Sequence, residues 1–164
     1  MRKNSIKHYS VVLSFSIVVT ILCAAVMISG CTDYETYTHE YFGFSIKYPD
    51  TWVVDKLSFV NPETESTVYI NIIDSSTPRS LEEIVKSYNR DRFDINQGKF
   101  TTFKDCEAYE IEYTDLVDKT QYNCKTIIFI HEDKAYILLY YSKQVNYEDD
   151  LKTANKIIDS FTFI

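Results

Sequence analysis

The chain is poor in the residues that bend a backbone, with three Gly and three Pro among 164 residues. That scarcity excludes collagen-like or linker-like material. Beyond Gly30 only Gly43 and Gly98 occur, too few for a glycine-rich loop that cradles phosphate. Histidine is scarce as well: His8, His39 and His131 stand far apart, with no pair at helical metal-ligand spacing. The four cysteines, Cys23, Cys31, Cys106 and Cys124, form no CxxC unit. Positive charge is in deficit, 17 Lys and Arg against 24 Asp and Glu, for a net charge of -7. A general nucleic-acid binder needs the opposite balance to displace counterions from phosphates. No serine sits in a GxSxG elbow. What is present is a globular composition, 45% hydrophobic with 25% charged residues, and 15% aromatics dominated by 14 Tyr and 10 Phe.

Those figures mix two regions. Arg2, Lys3 and Lys7 open the chain, no acidic residue precedes Asp33, and Val11–Ile28 carries no charge. Ile28-Ser29-Gly30-Cys31 follows. A basic start, an apolar run and small residues at a cut form the layout of a secretory signal. The last four residues resemble the lipobox of prokaryotic lipoproteins, in which a cysteine thiol takes up a thioether-linked diacylglycerol. Ile28 stands where Leu is usual. The alternative is a retained anchor, since the apolar run just reaches the ~17–25 residues that span a bilayer. Either way the rest of the chain is expected outside the cytoplasmic membrane, on its extracytoplasmic side. The expected organisation is residues 1–30 as signal peptide, 31–40 as a polar tether and 41–164 as one domain. Removing residues 1–30 leaves 134 residues with 14 basic and 24 acidic side chains, so the exported part carries about -10 and is repelled by anionic headgroups.

Within the domain, Phe42, Phe44, Ile46 and Tyr48 alternate with Gly43, Ser45 and Lys47, the pattern of a half-buried strand. Pro49-Asp50 ends it. Trp52–Val60 reads as a second strand, Asn61-Pro62-Glu63 as a turn and Thr67–Ile73 as a third strand. Ser80 and Glu83 form a capping box for a helix running to about Arg92, with Leu81, Ile84, Val85 and Tyr88 on one face. Four more strands are predicted at Lys99–Phe103, Ala108–Tyr113, Tyr122–His131 and Ala135–Tyr141, the last three as an antiparallel meander. The apolar run Thr126–Ile130 suggests burial on both faces. A closing helix, capped by Asn146, carries Tyr147, Leu151, Ala154, Ile158 and Phe161 in one stripe, and Glu148, Asp149 and Asp150 complement its dipole. Three strands, a helix, four strands and a helix point to an antiparallel sheet with helices packed on it, an α+β fold.

That order, and words within it, resemble the PsbP-like domain, the fold of the extrinsic oxygen-evolving-complex protein and its non-photosynthetic relatives. Phe42–Trp52, FGFSIKYPDTW, is similar to the family's opening word. Ala108–Tyr113, Lys134–Tyr140 and Ile157–Phe161 are similar to three later ones. The resemblance covers about residues 41 to 164. It implies an α/β/α sandwich around an antiparallel sheet of six to seven strands with two main helices. It carries no function across.

Candidate chemistry is thin. His131 lies at a strand end, where a Ser-His-Asp site would need partners the sequence does not mark. Glu148-Asp149-Asp150 diverge around a helix axis, which favours a solvated face over a calcium site. Asp115 and Asp118 flank a hairpin and could hold a loop cation weakly. Tyr136, Tyr140 and Tyr141 lie in one strand and Tyr109 and Tyr113 in its neighbour but one, more in the manner of cross-strand packing than of a ligand stripe. A hairpin tip at 117–118 would set Cys124 opposite Ile111 and Cys106 opposite Phe129, on opposite faces and out of disulfide reach unless a bulge intervenes. The expectation is a non-enzymatic binding or assembly module, held to the membrane by lipid on Cys31, with an envelope protein as partner and with no catalytic residue, cofactor or metal. A small-ligand or calcium-binding module, or an unrecognised hydrolase, are the alternatives.

Overall fold

The structure, a computed structural model, describes residues 33–74, 79–89, 94 and 97–164. Cys31 and the expected signal segment lie outside the described residues. Among the described residues no helix is long and apolar enough to cross a membrane.

Among the described residues ten strands and two helices follow in order: β1 Tyr34–His39, β2 Phe44–Pro49, β3 Val53–Asp55, β4 Ser58–Val60, β5 Thr67–Asp74, α1 Leu81–Asn89, β6 Lys99–Phe103, β7 Cys106–Val117, β8 Thr120–His131, β9 Lys134–Lys143, α2 Tyr147–Asp159 and β10 Thr162–Phe163. They make a seven-stranded antiparallel sheet, β3-β4-β5-β9-β8-β7-β6, and a three-stranded one, β1-β2-β10. The large sheet buries both faces of its central strands, as the Thr126–Ile130 run suggested. Ile127 and Phe129 join Phe44, Ile46, Phe59, Leu138, Ile157 and Phe161 in the main core. Ile128, one residue out of phase, joins Leu81, Val85, Ile111 and Ile137 under α1. The small sheet and α2 thus cover one face and α1 the other.

The predicted caps have different fates. Ser80 N–H donates to Glu83 Oε2 at 3.0 Å and Glu83 N–H to Ser80 Oγ at 3.2 Å, a complete capping box. Asn146 makes no side-chain cap; its Nδ2 donates instead to the Thr64 carbonyl at 3.3 Å.

Three expectations need correction. Residues 34–39 are not tether but strand β1, paired with all of β2. Its side chains are mostly exposed, so no apolar alternation marked it. Trp52–Val60 is not one strand but the hairpin β3–β4, turned at Lys56 with φ 56°. The β7–β8 hairpin is longer than predicted: Asp118 and Lys119 both take positive φ (49° and 69°), the signature of a two-residue type I′ turn. The tip therefore moves by one residue, and Cys124 faces Tyr113 rather than Ile111. Parity is preserved, so the thiols remain on opposite faces, and neither is in a disulfide.

Candidate functional site: an aromatic groove at the open end of the sheet

The residues singled out by sequence do not converge. His39 packs in an aromatic row on the small sheet, with ring centroids 4.7 Å from Phe42 and 5.6 Å from Phe44. His131 stacks on Phe163 with centroids 3.6 Å apart, and its Nδ1 lies 3.6 Å from Cys106 Sγ. A Cys–His pair is a nucleophile only when the thiolate is favoured. Here burial, with the Asp105 charge beside it, pushes the Cys106 thiol up. A small cavity of about 170 Å³ adjoins His131, lined also by Glu40, Lys134 and Tyr136. Among the described residues no group of three or more His, Cys, Asp or Glu could hold a metal ion.

The acidic triplet holds a surprise. Glu148 and Asp149 are exposed as expected, but Asp150 is half-buried. Its Oδ2 accepts from Thr64 Oγ1 and from Ser66 Oγ, each at 2.6 Å, and its Oδ1 from Asn61 Nδ2 at 3.2 Å. Ser66 is fully buried and shares a further bond with Ser142 Oγ at 2.6 Å. Asp150 is thus a clasp between α2 and the β4–β5 turn, not a solvated acid. The turn itself is set by Asn61, whose Oδ1 accepts from Glu63 N–H at 3.0 Å.

The tyrosines divide. Tyr109, Tyr136 and Tyr140 are core residues, at most 2% exposed. The Tyr140 hydroxyl donates to the Tyr147 carbonyl at 3.0 Å, and burial pushes its pKa up to about 12. Tyr113 and Tyr141 instead take part in a groove of about 360 Å³, lined by Tyr113, Asp115, Val117, Tyr122, Cys124, Leu139 and Tyr141. Register explains the groove. Tyr113, Cys124 and Tyr141 are cross-strand neighbours on β7, β8 and β9, and Asp115 pairs with Tyr122. All lie on the face that α1 covers, but α1 spans nine residues and packs over Tyr109, Ile111, Ile128 and Ile137. Toward the hairpin tip no described element covers that face. Tyr122 and Tyr141 meet edge to face, centroids 6.1 Å apart, while burial raises the Tyr113 hydroxyl. A concave, mainly apolar surface with a single carboxylate at its side has the general character of a ligand pocket. Sequence reasoning named Tyr113 and Tyr141 together as packing residues and Asp115 apart from them. What would have grouped them is the hairpin register, which a one-residue error in the tip obscured.

An antiparallel sheet layered between α1 on one side and α2 with a small sheet on the other defines an α+β sandwich. Comparison with solved structures makes the class specific. The chain is similar to cyanobacterial PsbP from Synechocystis (TM-score 0.61, 12% identity, 84% of this chain and 96% of that one). It is also similar to LpqN of Mycobacterium tuberculosis, a protein involved in cell envelope biogenesis (0.56, 12%, 79% and 90%). A Bacteroides thetaiotaomicron protein matches too (0.58, 13%), with 79% of this chain covered and only 48% of that longer one. The chain has the PsbP-like fold. No family model matches the sequence, and no curated protein matches it significantly.

Proposed function

We propose that this chain is a lipid-anchored, extracytoplasmic module, held by a diacylglyceryl thioether on Cys31, that binds an envelope protein and performs no chemistry. The observation that carries the reading is the groove: Tyr122, Leu139 and Tyr141 line an aromatic and aliphatic concave surface, joined by Tyr113, which packs against the α1 core. Aromatic side chains supply contact area at low entropic cost and dominate binding hot spots. The candidate nucleophile points the same way, since partial burial and the neighbouring Asp105 charge push the Cys106 thiol up. The likeness in fold to LpqN, itself described as involved in cell envelope biogenesis, supports the setting without supplying a partner.

Cross-linking in native membranes, followed by identification of what is joined, tests the reading. An envelope protein recovered with wild type and lost with Tyr141→Ala is expected; recovery that ignores the groove overturns it. The anchor is tested separately by the mass of membrane-extracted protein, which should begin at acylated Cys31. An intact Met1 contradicts it. A second reading, a small apolar ligand, is favoured by the groove's volume alone, which falls within the ~300–1,000 Å³ of small-molecule sites.

A further inference from the structure

One edge of the large sheet is only half covered. β6 pairs with β7 from Cys106 to Glu110 and stops at Lys99. β7 runs on to Val117. At Gly98 the chain turns onto the sheet face: a Cβ there would collide with the Tyr109 hydroxyl and ring. Among the described residues no strand pairs with the outer edge of β7 beyond Glu110.

The two flanking turns say which backbone groups are left open. Lys104-Asp105 and Asp118-Lys119 are both two-residue turns with positive φ. Such turns make their flanking residues hydrogen-bonded pairs, here Phe103 with Cys106 and Val117 with Thr120. Counting from Cys106, even-numbered residues of β7 direct N–H and C=O toward β6. Counting from Val117, odd-numbered residues direct theirs toward β8. Both counts leave Glu112, Thr114 and Leu116 facing outward past the end of β6; the Leu116 N–H is already taken by Asp115 Oδ1 at 2.8 Å, so Glu112 and Thr114 present the open groups. Unpaired edges are normally blunted by proline, bulges or lysine. This one has no proline or lysine between Ile111 and Val117, only the acids Glu112 and Asp115, and it ends in Leu116 (69% exposed) and Val117 (50% exposed).

The groove lies beside that same stretch, since Tyr113, Asp115 and Val117 belong to both. A strand added to the edge would therefore set alternate side chains next to them. Charge selects the occupant. Glu112, Asp115 and Asp118 stand along the edge against Lys119. Two copies paired antiparallel about Asp115 would oppose Asp115 to Asp115 and Glu112 to Asp118. Like charges directly opposite are destabilising, so a second copy is disfavoured in that register, while a basic strand is favoured.

We infer that the open edge of β7 takes an extended segment of a partner protein as an added strand, with apolar side chains beside Tyr113 and Val117 and a lysine or arginine beside Asp115. The inference rests on the proposed binding role and names the kind of partner it serves.

The probe is a capped heptapeptide, Thr-Val-Thr-Lys-Thr-Val-Thr, and its counterpart with Glu at the centre, each added to the full chain in detergent micelles. The lysine peptide should slow amide exchange at Glu112 and Thr114 and bind roughly fivefold more tightly than the glutamate peptide, as expected when one cross-strand pair changes from opposite to like charge. Asp115→Lys should invert that preference. Thr114→Pro should abolish binding while melting near wild type, because its lost N–H faces away from β8. Equal binding of both peptides, protection of other amides, or protection of Glu112 and Thr114 before any peptide is added each overturns strand addition. So does dimerisation that Thr114→Pro removes. If these fail while membrane cross-linking still captures an envelope protein through Tyr141, the binding role stands and the added strand falls. If the peptides behave as expected and no envelope protein is captured, the edge is established as a strand acceptor and the envelope role falls.

Discussion

Asp150→Ala should cost far more than an exposed helix acid normally does. Asp150 accepts three side-chain hydrogen bonds, from Asn61, Thr64 and Ser66. Bonds to a charged group contribute roughly 1.5–3 kcal/mol each. The full sum overstates the loss, because Ser66 keeps Ser142 and Thr64 keeps Ser66 as partners. A net loss of about 2–4 kcal/mol remains, which for a domain of this size lowers the melting temperature by roughly 8–15 °C. Asp150→Asn should cost about half as much, since an amide keeps one acceptor and its NH₂ can donate to a rotated hydroxyl. The competing explanation is the helix dipole, which stabilises an acid in the first turn by only ~0.3–1 kcal/mol. Glu148→Ala and Asp149→Ala, at exposed positions of the same turn, measure that contribution alone. Thermal and urea unfolding of all four variants decide between the two. A double-mutant cycle with Ser66→Ala should give a coupling of about 1–2 kcal/mol. If Asp150→Ala falls no further than Glu148→Ala, the clasp carries no stability and the reasoning fails.

Other expectations are shorter to state. Tyr147→Phe should leave stability unchanged or raise it by about 1 kcal/mol, because the Tyr147 hydroxyl is buried with no hydrogen-bond partner; a loss above that size in urea melts would point to a missed bond. Lys119→Gly should add roughly 0.5–1 kcal/mol by relieving a non-glycine residue at φ 69°, read from the shift in urea midpoint. Stability should fall as pH rises above about 10. Burial raises Tyr113, Tyr140 and Tyr147 above their ordinary value, Tyr140 to about 12, so above 10 the unfolded chain releases protons that the folded chain retains. Absorbance titration at 295 nm should then show a late set of tyrosines, and simple ionisation of all of them near 10 in the folded chain would contradict it. Thiol titration in denaturant under non-reducing conditions should count Cys106 and Cys124 as two thiols; a disulfide would contradict the register.

The strands and helices that bury an alternating or 3.6-residue apolar face were legible. Phe44 and Ile46, the Thr126–Ile130 run, the Ser80–Glu83 box and the α2 stripe all stand where their patterns put them. What stayed hidden traces to turns. Seven non-glycine residues among those described take positive φ: Lys56, Glu65, Lys104, Asp105, Asp118, Lys119 and Glu132. A chain with three glycines makes its tight turns from Lys, Asp and Glu, which read as ordinary solvated residues. Hence the β3–β4 hairpin looked like one strand and the β7–β8 tip was set one residue early. Strand β1 was missed for another reason: at the edge of a small sheet it buries too little to need alternation. The groove depends on both the long hairpin and the shortness of α1, neither of which a local pattern encodes.

The binding role is tested most directly by footprinting the tyrosines of the full chain in its own membrane. Hydroxyl-radical oxidation of Tyr113, Tyr122 and Tyr141, which line the groove, should fall several-fold in native membranes relative to the purified chain. Tyr41 and Phe100, exposed and away from it, should react alike in both. Groove tyrosines that oxidise equally in the two settings would mean the surface has no occupant, and the reading of this chain as a binding module through that groove would be contradicted.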